Sequence, residues 1–489
     1  MMTDAEFEAW ASRPDAIRCV LVEVAVRSGE AELTRCLSSV GYVTGAADIP
    51  AHTVYDPCIV GGVSVTETLP LDGAASLSWG DIEVANPDGV RDTWLDDIWS
   101  GRPVTVLCGD VRWPRSDFRA VFTGVVEDVG ARSIDRLNLL LRDKSQRLNV
   151  AITEATLGGA GTNAGDLVPL CFGEVHNITP VLLDPATLTY QVHAGAIEAI
   201  IEVRDNGIPV GYGYDLAAGT FTLSASPVGS ITASVQGSRS GGVYRFRPGA
   251  LIQHIATTYG TQPLTATDLD AEQLAAFDVA HPQTVGLYLD GRANLLETLQ
   301  SIAASVGAQV AFTPDGRLQI QKIALPAAGA ATAVHVADTV LGSLCVAQSP
   351  KLRPSVRLAY CRNFTVQDGL QTGLPAEHLA MYGREWLVVQ ASDSAVADLW
   401  RLTMAPVEVP TLLQARLDAE AEAVRRLGLW GVRRLVLGFE VIGRFLTVPL
   451  GGAVVLTHTR FGLASGKTGQ VIGKTTDWLG HRVKFEVLV

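Results

Sequence analysis

The segment nearest to a reactive motif is Gly462-Leu463-Ala464-Ser465-Gly466-Lys467-Thr468, which ends like a phosphate loop. Such a loop cradles phosphates with successive backbone N–H groups, keeps four residues between its glycines, and opens a helix whose N-terminus faces the anion. Here only three residues separate Gly462 from Gly466, and the run 470–476 that follows reads as a strand. A turn between strands is expected, with no nucleotide hydrolysis. The glycine tract 158–165 is no phosphate loop either, because it lacks both the GxGxxG spacing and a following Lys-Ser/Thr.

Other chemistry-bearing residues are scattered. Cys19, Cys36, Cys58, Cys108, Cys171, Cys345 and Cys361 include no CxxC pair, and they read as buried thiols of a reducing compartment. His176 and His193 have no third metal ligand at useful spacing and read as structural or surface side chains. Glu127 and Asp128 suggest an acid/base pair, but neighbours on a strand face opposite ways. No HExxH or GxSxG occurs, and no cysteine has an obvious local partner. No catalytic, cofactor-binding or metal-ligating residue is therefore assigned, and an enzyme is not expected.

Composition sets the frame for what must position these residues. A chain of 489 residues exceeds one ordinary core, so two to four domains are expected. Hydrophobic residues make up 47% and charged ones only 18%, which excludes a disordered chain and suggests large protein interfaces. The net charge of -13 argues against tight nucleic-acid binding, which needs concentrated Lys and Arg, but permits a channel wall past which DNA slides. The start, with Asp4, Glu6 and Glu8, carries acids where a secretory signal has bases, so export by that route is not expected. The most apolar region, 427–445, is cut by Arg433, Arg434, Glu440 and Arg444, so no membrane segment is expected.

Periodicity predicts a mainly β chain with α+β parts: several small β-sandwich or barrel domains and one helix-plus-hairpin unit. Runs 17–26 and 33–37 form a first hairpin; 81–85 and 103–107 alternate as half-buried strands around the Asn86-Pro87-Asp88-Gly89 turn. Between them Trp94, Leu95, Ile98 and Trp99 fall at helical spacing. After the glycine tract a meander opens at 169–183, with Asn206-Gly207 suited to a tight hairpin. Helices are predicted over 248–259 and 294–306, the second capped by Asn294 and Glu297 and followed by a hairpin at 309–320 through Thr313-Pro314-Asp315-Gly316.

Beyond the Ala-rich segment 325–334, the run 356–367 reads as a strand whose Arg357, Arg362 and Asn363 line either an interface or a solvated face. Residues 410–427 read as a helix with a Leu413, Leu417, Ala421, Val424, Leu427 stripe and Glu422 placed against Arg425 or Arg426. Strands at 433–442, 453–458, 470–476 and 482–489 close the chain as a small barrel or sandwich. The expected domains are 1–157, 166–240, 241–345 and 346–489.

The order of these pieces resembles the baseplate or tail-tip hub proteins of long-tailed phages and Mu-like prophages. The resemblance rests on Tyr42-Val43-Thr44-Gly45 with Pro50 and Tyr55, on Gly80-Asp81-Ile82 through Asn86-Pro87-Asp88-Gly89, and on Asp92, Trp94, Asp97, Trp99 and Gly101-Arg102. It continues through Phe122-x-Gly124, Cys171-Phe172-Gly173-Glu174-Val175, Arg362-Asn363 with Thr365-Val366-Gln367, and Arg460-Phe461-Gly462-Leu463 to Asp477-Trp478.

That resemblance implies a structural homotrimer, with two similar β-domains per subunit, that converts the sixfold tail tube to threefold symmetry around a channel. The N-terminal and C-terminal β regions are the candidate pair. Implied partners are tail tube, distal tail and tape-measure proteins, tip or receptor-binding proteins, and double-stranded DNA passing through the lumen without specific binding. The implied location is the virion tail tip, after assembly in the host bacterial cytoplasm. Some relatives carry an iron-sulfur cluster on clustered cysteines; here the cysteines are dispersed in sequence, so distant ones would have to meet. The alternatives are a hexameric distal tail ring and a tail-associated peptidoglycan hydrolase or peptidase.

Overall fold

A computed structural model describes residues 3–13, 15–71, 75–158, 163–326, 331–367, 370 and 373–489. Residues 159–162 of the glycine tract and 327–330 of the Ala-rich segment lie outside the described residues. The fold is mainly β with several sheets and a minority of helix. It divides into two compact units, Met1–Gln146 with Val310–Pro350 and Arg433–Val489, and Arg147–Gln309 with Lys351–Val432.

The first unit is built on one fifteen-stranded sheet, and both ends of the chain contribute to it. In its N-terminal half the order runs Ala31–Ser38, Arg18–Ser28, Pro103–Asp110, Arg119–Ser133, Arg136–Arg142, Ile82–Ala85, Ile59–Gly61. The segment just before Ile59 returns to the first of these strands: the Asp56 N–H donates to Cys36 O at 2.9 Å and the Ser38 N–H to Asp56 O at 2.8 Å. The half therefore curls on itself. Its core includes Cys19, Leu21, Tyr42, Tyr55, Leu107 and Phe118.

The C-terminal half repeats the device. Thr332–His335, Ala453–Thr457, Lys467–Asp477, Arg482–Leu488, Val436–Ile442 and Cys345–Gln348 follow in order. The chain leaving His335 reaches across to the far side, where the Val340 N–H donates to Glu440 O at 2.8 Å. Val483, Phe485 and Val487 are buried while Arg482 and Lys484 are exposed, as the alternation predicts. The halves differ in connectivity: the strand preceding the three-strand meander pairs with the meander's first strand in one half and with its last in the other.

The second unit carries a five-stranded sheet, Ile208–Pro209, Ile197–Asp205, Ile231–Ser238, Leu170–Ile178, Gly286–Leu289, and a four-stranded one, Val181–Asp184, Thr189–Gln191, Thr220–Leu223, Tyr212–Asp215. Asn206 (φ 47°) and Gly207 (φ 84°) make the expected left-handed turn, which Gly207 adopts without a Cβ penalty. Phe221, Val235, Val175 and Ile178 lie in the core between these sheets. Helices Pro248–Thr258, Ala271–Ala280 and Leu295–Ser305 pack beside them, and Arg416–Trp430 lies on a third sheet, Leu387–Ser392, Ser355–Tyr360, Glu408–Pro410. The helix Ala271–Ala280 is one that the sequence reading omits.

Several local expectations change. The helix expected at 410–427 begins only at Arg416, and it buries Ala419, Glu422, Ala423 and Leu429, while Leu417 and Val424 are 77% and 62% exposed. Small side chains let the helix approach the sheet closely, which the larger stripe cannot do. The strand expected over 356–367 stops at Tyr360, because Cys361 turns left-handed at φ 49°. Around Trp94 there is one 3-10 turn, Asp92–Asp96, which buries Trp94 and leaves Leu95 and Ile98 exposed.

Candidate functional site

The residues with reactive side chains come out in structural roles. Lys467 opens the strand Lys467–Asp477 directly after Gly466 at φ 77°, so no helix N-terminus faces the glycines. The seven cysteines are free, and among the described residues no three of His, Cys, Asp and Glu converge to hold a metal. Burial pushes the Cys19, Cys58 and Cys361 thiols up to about 11 and Cys108 to about 12, which keeps them protonated and unreactive.

His193 is buried, and its Nδ1 accepts the Cys171 backbone N–H at 3.0 Å; burial pushes it down to about 4 and so favours the neutral ring that can accept. His176 pairs with Glu174 at 3.3 Å. Glu127 pairs with Arg142 at 2.5 Å, and Asp128 accepts the Val129 N–H at 2.9 Å beside a bulge. The two carboxylates have separate partners, not a shared site.

Arg357 and Arg362 pair with Glu408 and Glu385 at 3.0 Å each. Asn363 is buried, and its Nδ2 donates to Tyr382 O at 2.8 Å and Arg384 O at 3.0 Å, so it braces a turn and lines no surface. Glu422 holds both Arg425 and Arg426 at 2.7 Å.

What the sequence brings together most unexpectedly is the seam of the long sheet. Ser64–Thr68 pairs antiparallel with Lys467–Asp477, from Gly473 opposite Thr68 to Asp477 opposite Ser64. The Thr66 and Thr475 hydroxyls meet at 3.0 Å across 409 residues of sequence. In the same register Glu67 lies opposite Lys474, only 5% and 6% exposed, with Oε2 and Nζ 4.0 Å apart. Lys474 Nζ donates to Leu446 O at 2.7 Å. Burial dominates both groups, raising the Glu67 carboxyl and lowering the Lys474 ammonium, with their mutual attraction opposing it.

The helix Asp4–Ala11 clamps this seam. Phe7 meets Trp478 edge-on at 6.1 Å, Trp10 tilts on Trp113 at 4.6 Å, and the Trp10 indole N–H donates to Asp110 at 3.0 Å. Asp110 also receives both guanidinium arms of Arg112 at 2.6 Å, which with Trp10 holds its carboxyl well below the usual range. Arg18 Nη2 donates to His481 Nδ1 at 2.8 Å. Within the N-terminal half, Arg35 lies over Trp94 at 4.5 Å and pairs with Asp97 at 2.5 Å, so Asp97, Trp94 and Trp99 form a packed plug. Sequence spacing marks Trp94 and Trp99 of that plug but not Asp97, and no local signal shows the seam.

No family model matches the chain, and no curated protein matches it. Among solved structures it is similar to the 43 kDa tail protein of prophage MuSo2 from Shewanella oneidensis, with 11% identity and a TM-score of 0.40 over 95% of this chain and 98% of that one. It is similar to a tail protein from Neisseria meningitidis MC58, with 11% identity and a TM-score of 0.36 over 96% of each chain. A chain of the native gene transfer agent virion aligns at 15% identity and a TM-score of 0.42, covering 69% of this chain and 87% of that one.

Proposed function

We propose that the chain is a structural subunit of a phage-type tail, the baseplate or tail-tip hub that joins the tube to the tip and surrounds a channel for DNA. The observation that carries this reading is the doubled architecture of the first unit: two curled β-halves, one from each end of the chain, in one continuous sheet. Three copies with two such halves each offer six positions to a sixfold tube, so the working unit is a homotrimeric ring. Its neighbours are tail tube, distal tail and tape-measure proteins and the tip or receptor-binding proteins, in the virion tail tip after assembly in the host cytoplasm. A net charge of -13 suits a lumen that lets DNA pass without holding it. The function is mechanical, and no residue is assigned a catalytic step.

Native mass of the assembled protein, with imaging of tail tips, tests this. Three copies around an open channel are expected. Six copies favour a distal tail ring, and a stable monomer that turns over peptidoglycan favours the hydrolase.

A further inference from the structure

The C-terminal half carries a cavity of about 430 Å³ beside the segment that crosses between its outer strands. Val336, Val340, Leu341 and Leu344 form one wall, and His458, Arg460 and Phe461 lie on the other. Leu341 is 101% exposed, and Val336 and Phe461 are near half, so the walls are apolar and open to water. Exposed apolar surface of this kind, rimmed by polar groups, marks a contact site. Arg460 lies 6.0 Å over the Phe461 ring and has no carboxylate partner among the described residues. The cavity therefore suits an apolar side chain carried next to a carboxylate.

The chain itself presents that pair. Arg119–Ser133 and Arg136–Arg142 form a hairpin whose two tip residues are Ile134 and Asp135. Neither tip residue takes a positive φ, so the turn admits an isoleucine, yet at 97% exposure that side chain packs against almost nothing in its own chain. The hairpin is braced near its end: Arg132 pairs with Asp81 and Arg136 with Glu83. Asp135 accepts from Ser133 Oγ at 2.7 Å, and its nearest cation, Arg136, is 3.9 Å away, so its carboxylate remains open to another partner. At two other exposed apolar residues, Leu417 and Val407, the adjacent acid is engaged: the carboxylate of Asp418 accepts the Thr284 N–H, and Glu408 holds Arg357.

We propose that the Ile134-Asp135 hairpin tip of one copy seats in the Leu341/Phe461 cavity of a second copy, with Asp135 facing Arg460. The tip and the cavity are different surfaces, so the contact is head-to-tail and generates a ring or an open filament. This rests on the ring reading above in naming a contact between copies, but it does not depend on their number.

The test uses the full chain. Sedimentation and native mass are measured for wild type, Ile134→Asp and Leu341→Asp, with thermal melting to confirm that these exposed substitutions leave the fold intact. Each is expected to weaken association by about thirtyfold or more, as loss of an interface anchor does. Asp135→Arg and Arg460→Asp should each weaken it, and the two together should restore most of it. In a Cys345→Ser background, mixing Ile134→Cys with Leu341→Cys chains should give a mixed disulfide dimer on oxidation. Association unchanged by both Asp variants overturns the contact and leaves the ring reading standing. A folded monomer at all concentrations overturns both.

Discussion

At the scale of residues, the side chains that the sequence singles out are held by structural partners. Lys467 belongs to a strand and its turn, so Lys467→Ala should leave the melting temperature within a degree or two, and no ATP or GTP binding should be detectable in either protein. Nucleotide binding lost in the variant would reverse that assignment. Glu67 and Lys474 are the opposite case, because each is buried and depends on the other. Glu67→Leu leaves the ammonium with one carbonyl acceptor and should cost about 3–5 kcal/mol in chemical denaturation, whereas Glu67→Leu with Lys474→Met should recover most of that loss. Equal losses in the single and double variants would show that the pair is not coupled.

The buried histidines fix the sign of a pH effect. His254 is held down at about 4 by burial, against about 6.5 in an unfolded chain, and it packs edge-on against Phe172 and Tyr259. Its depressed value means that the contribution is present above about pH 6.5 and is lost as pH falls toward 4, where the unfolded chain binds the proton first. Glu67, Asp143 and Asp278, whose carboxyls are raised by burial, work in the opposite direction, so the differential is the informative quantity. His254→Phe should narrow the drop in melting temperature between pH 7 and pH 5. An unchanged drop would mean that the ring is already protonated in the fold.

At the scale of elements, the legible ones are those whose own neighbours fix them. Leu295–Ser305 was readable because Asn294 caps it, accepting the Glu297 N–H at 3.2 Å, and because Leu295, Leu299 and Ile302 form one buried stripe. The expected box is half made, since that single bond is the cap found. Leu299→Asp should cost several kcal/mol, as a charge buried without a partner does; wild-type stability in that variant would place the stripe elsewhere. Arg416–Trp430 misleads for a physical reason. Its sheet accepts Ala419 and Ala423 at close range, so in the first turns the small apolar residues are buried and the larger Leu417 and Val424 are exposed. Ala423→Leu should then cost about 1–3 kcal/mol by overpacking, while Leu417→Ser stays within about 0.5 kcal/mol. The reverse order in urea unfolding would restore the larger stripe as the buried one.

At the scale of the whole molecule, the first unit depends on a pairing that no window of sequence can show. Alternation identified 470–476 as a strand, within the observed Lys467–Asp477, but its partner Ser64–Thr68 lies at the other end of the chain, and its register is set by long-range contacts. The turn of the hairpin Ala308–Phe312 and Leu318–Lys322 behaves likewise: Pro314 O accepts the Thr123 N–H at 2.7 Å, and a Cβ on Gly316 would stand 2.7 Å from Thr123 O. A seam of this kind should make the two curled halves open together. Beyond the ladder, the Leu69 N–H donates to Ile472 O at 2.7 Å and the Trp478 N–H to Val63 O at 3.0 Å, so hydrogen bonds continue past both ends of the paired run.

In hydrogen exchange, Arg119–Ser133 and Arg482–Leu488 should therefore share one opening free energy in the wild type, as members of one cooperative block. Thr66→Pro removes a main-chain donor from the seam strand and cannot be absorbed at a sheet interior. The C-terminal half should then exchange at a lower free energy than the N-terminal half, while each retains its own pattern of slow amides. Two separate opening energies in the wild type would show that the seam is a contact between independent barrels. A single shared energy in the variant would place the coupling in the Phe7 and Trp478 clamp instead.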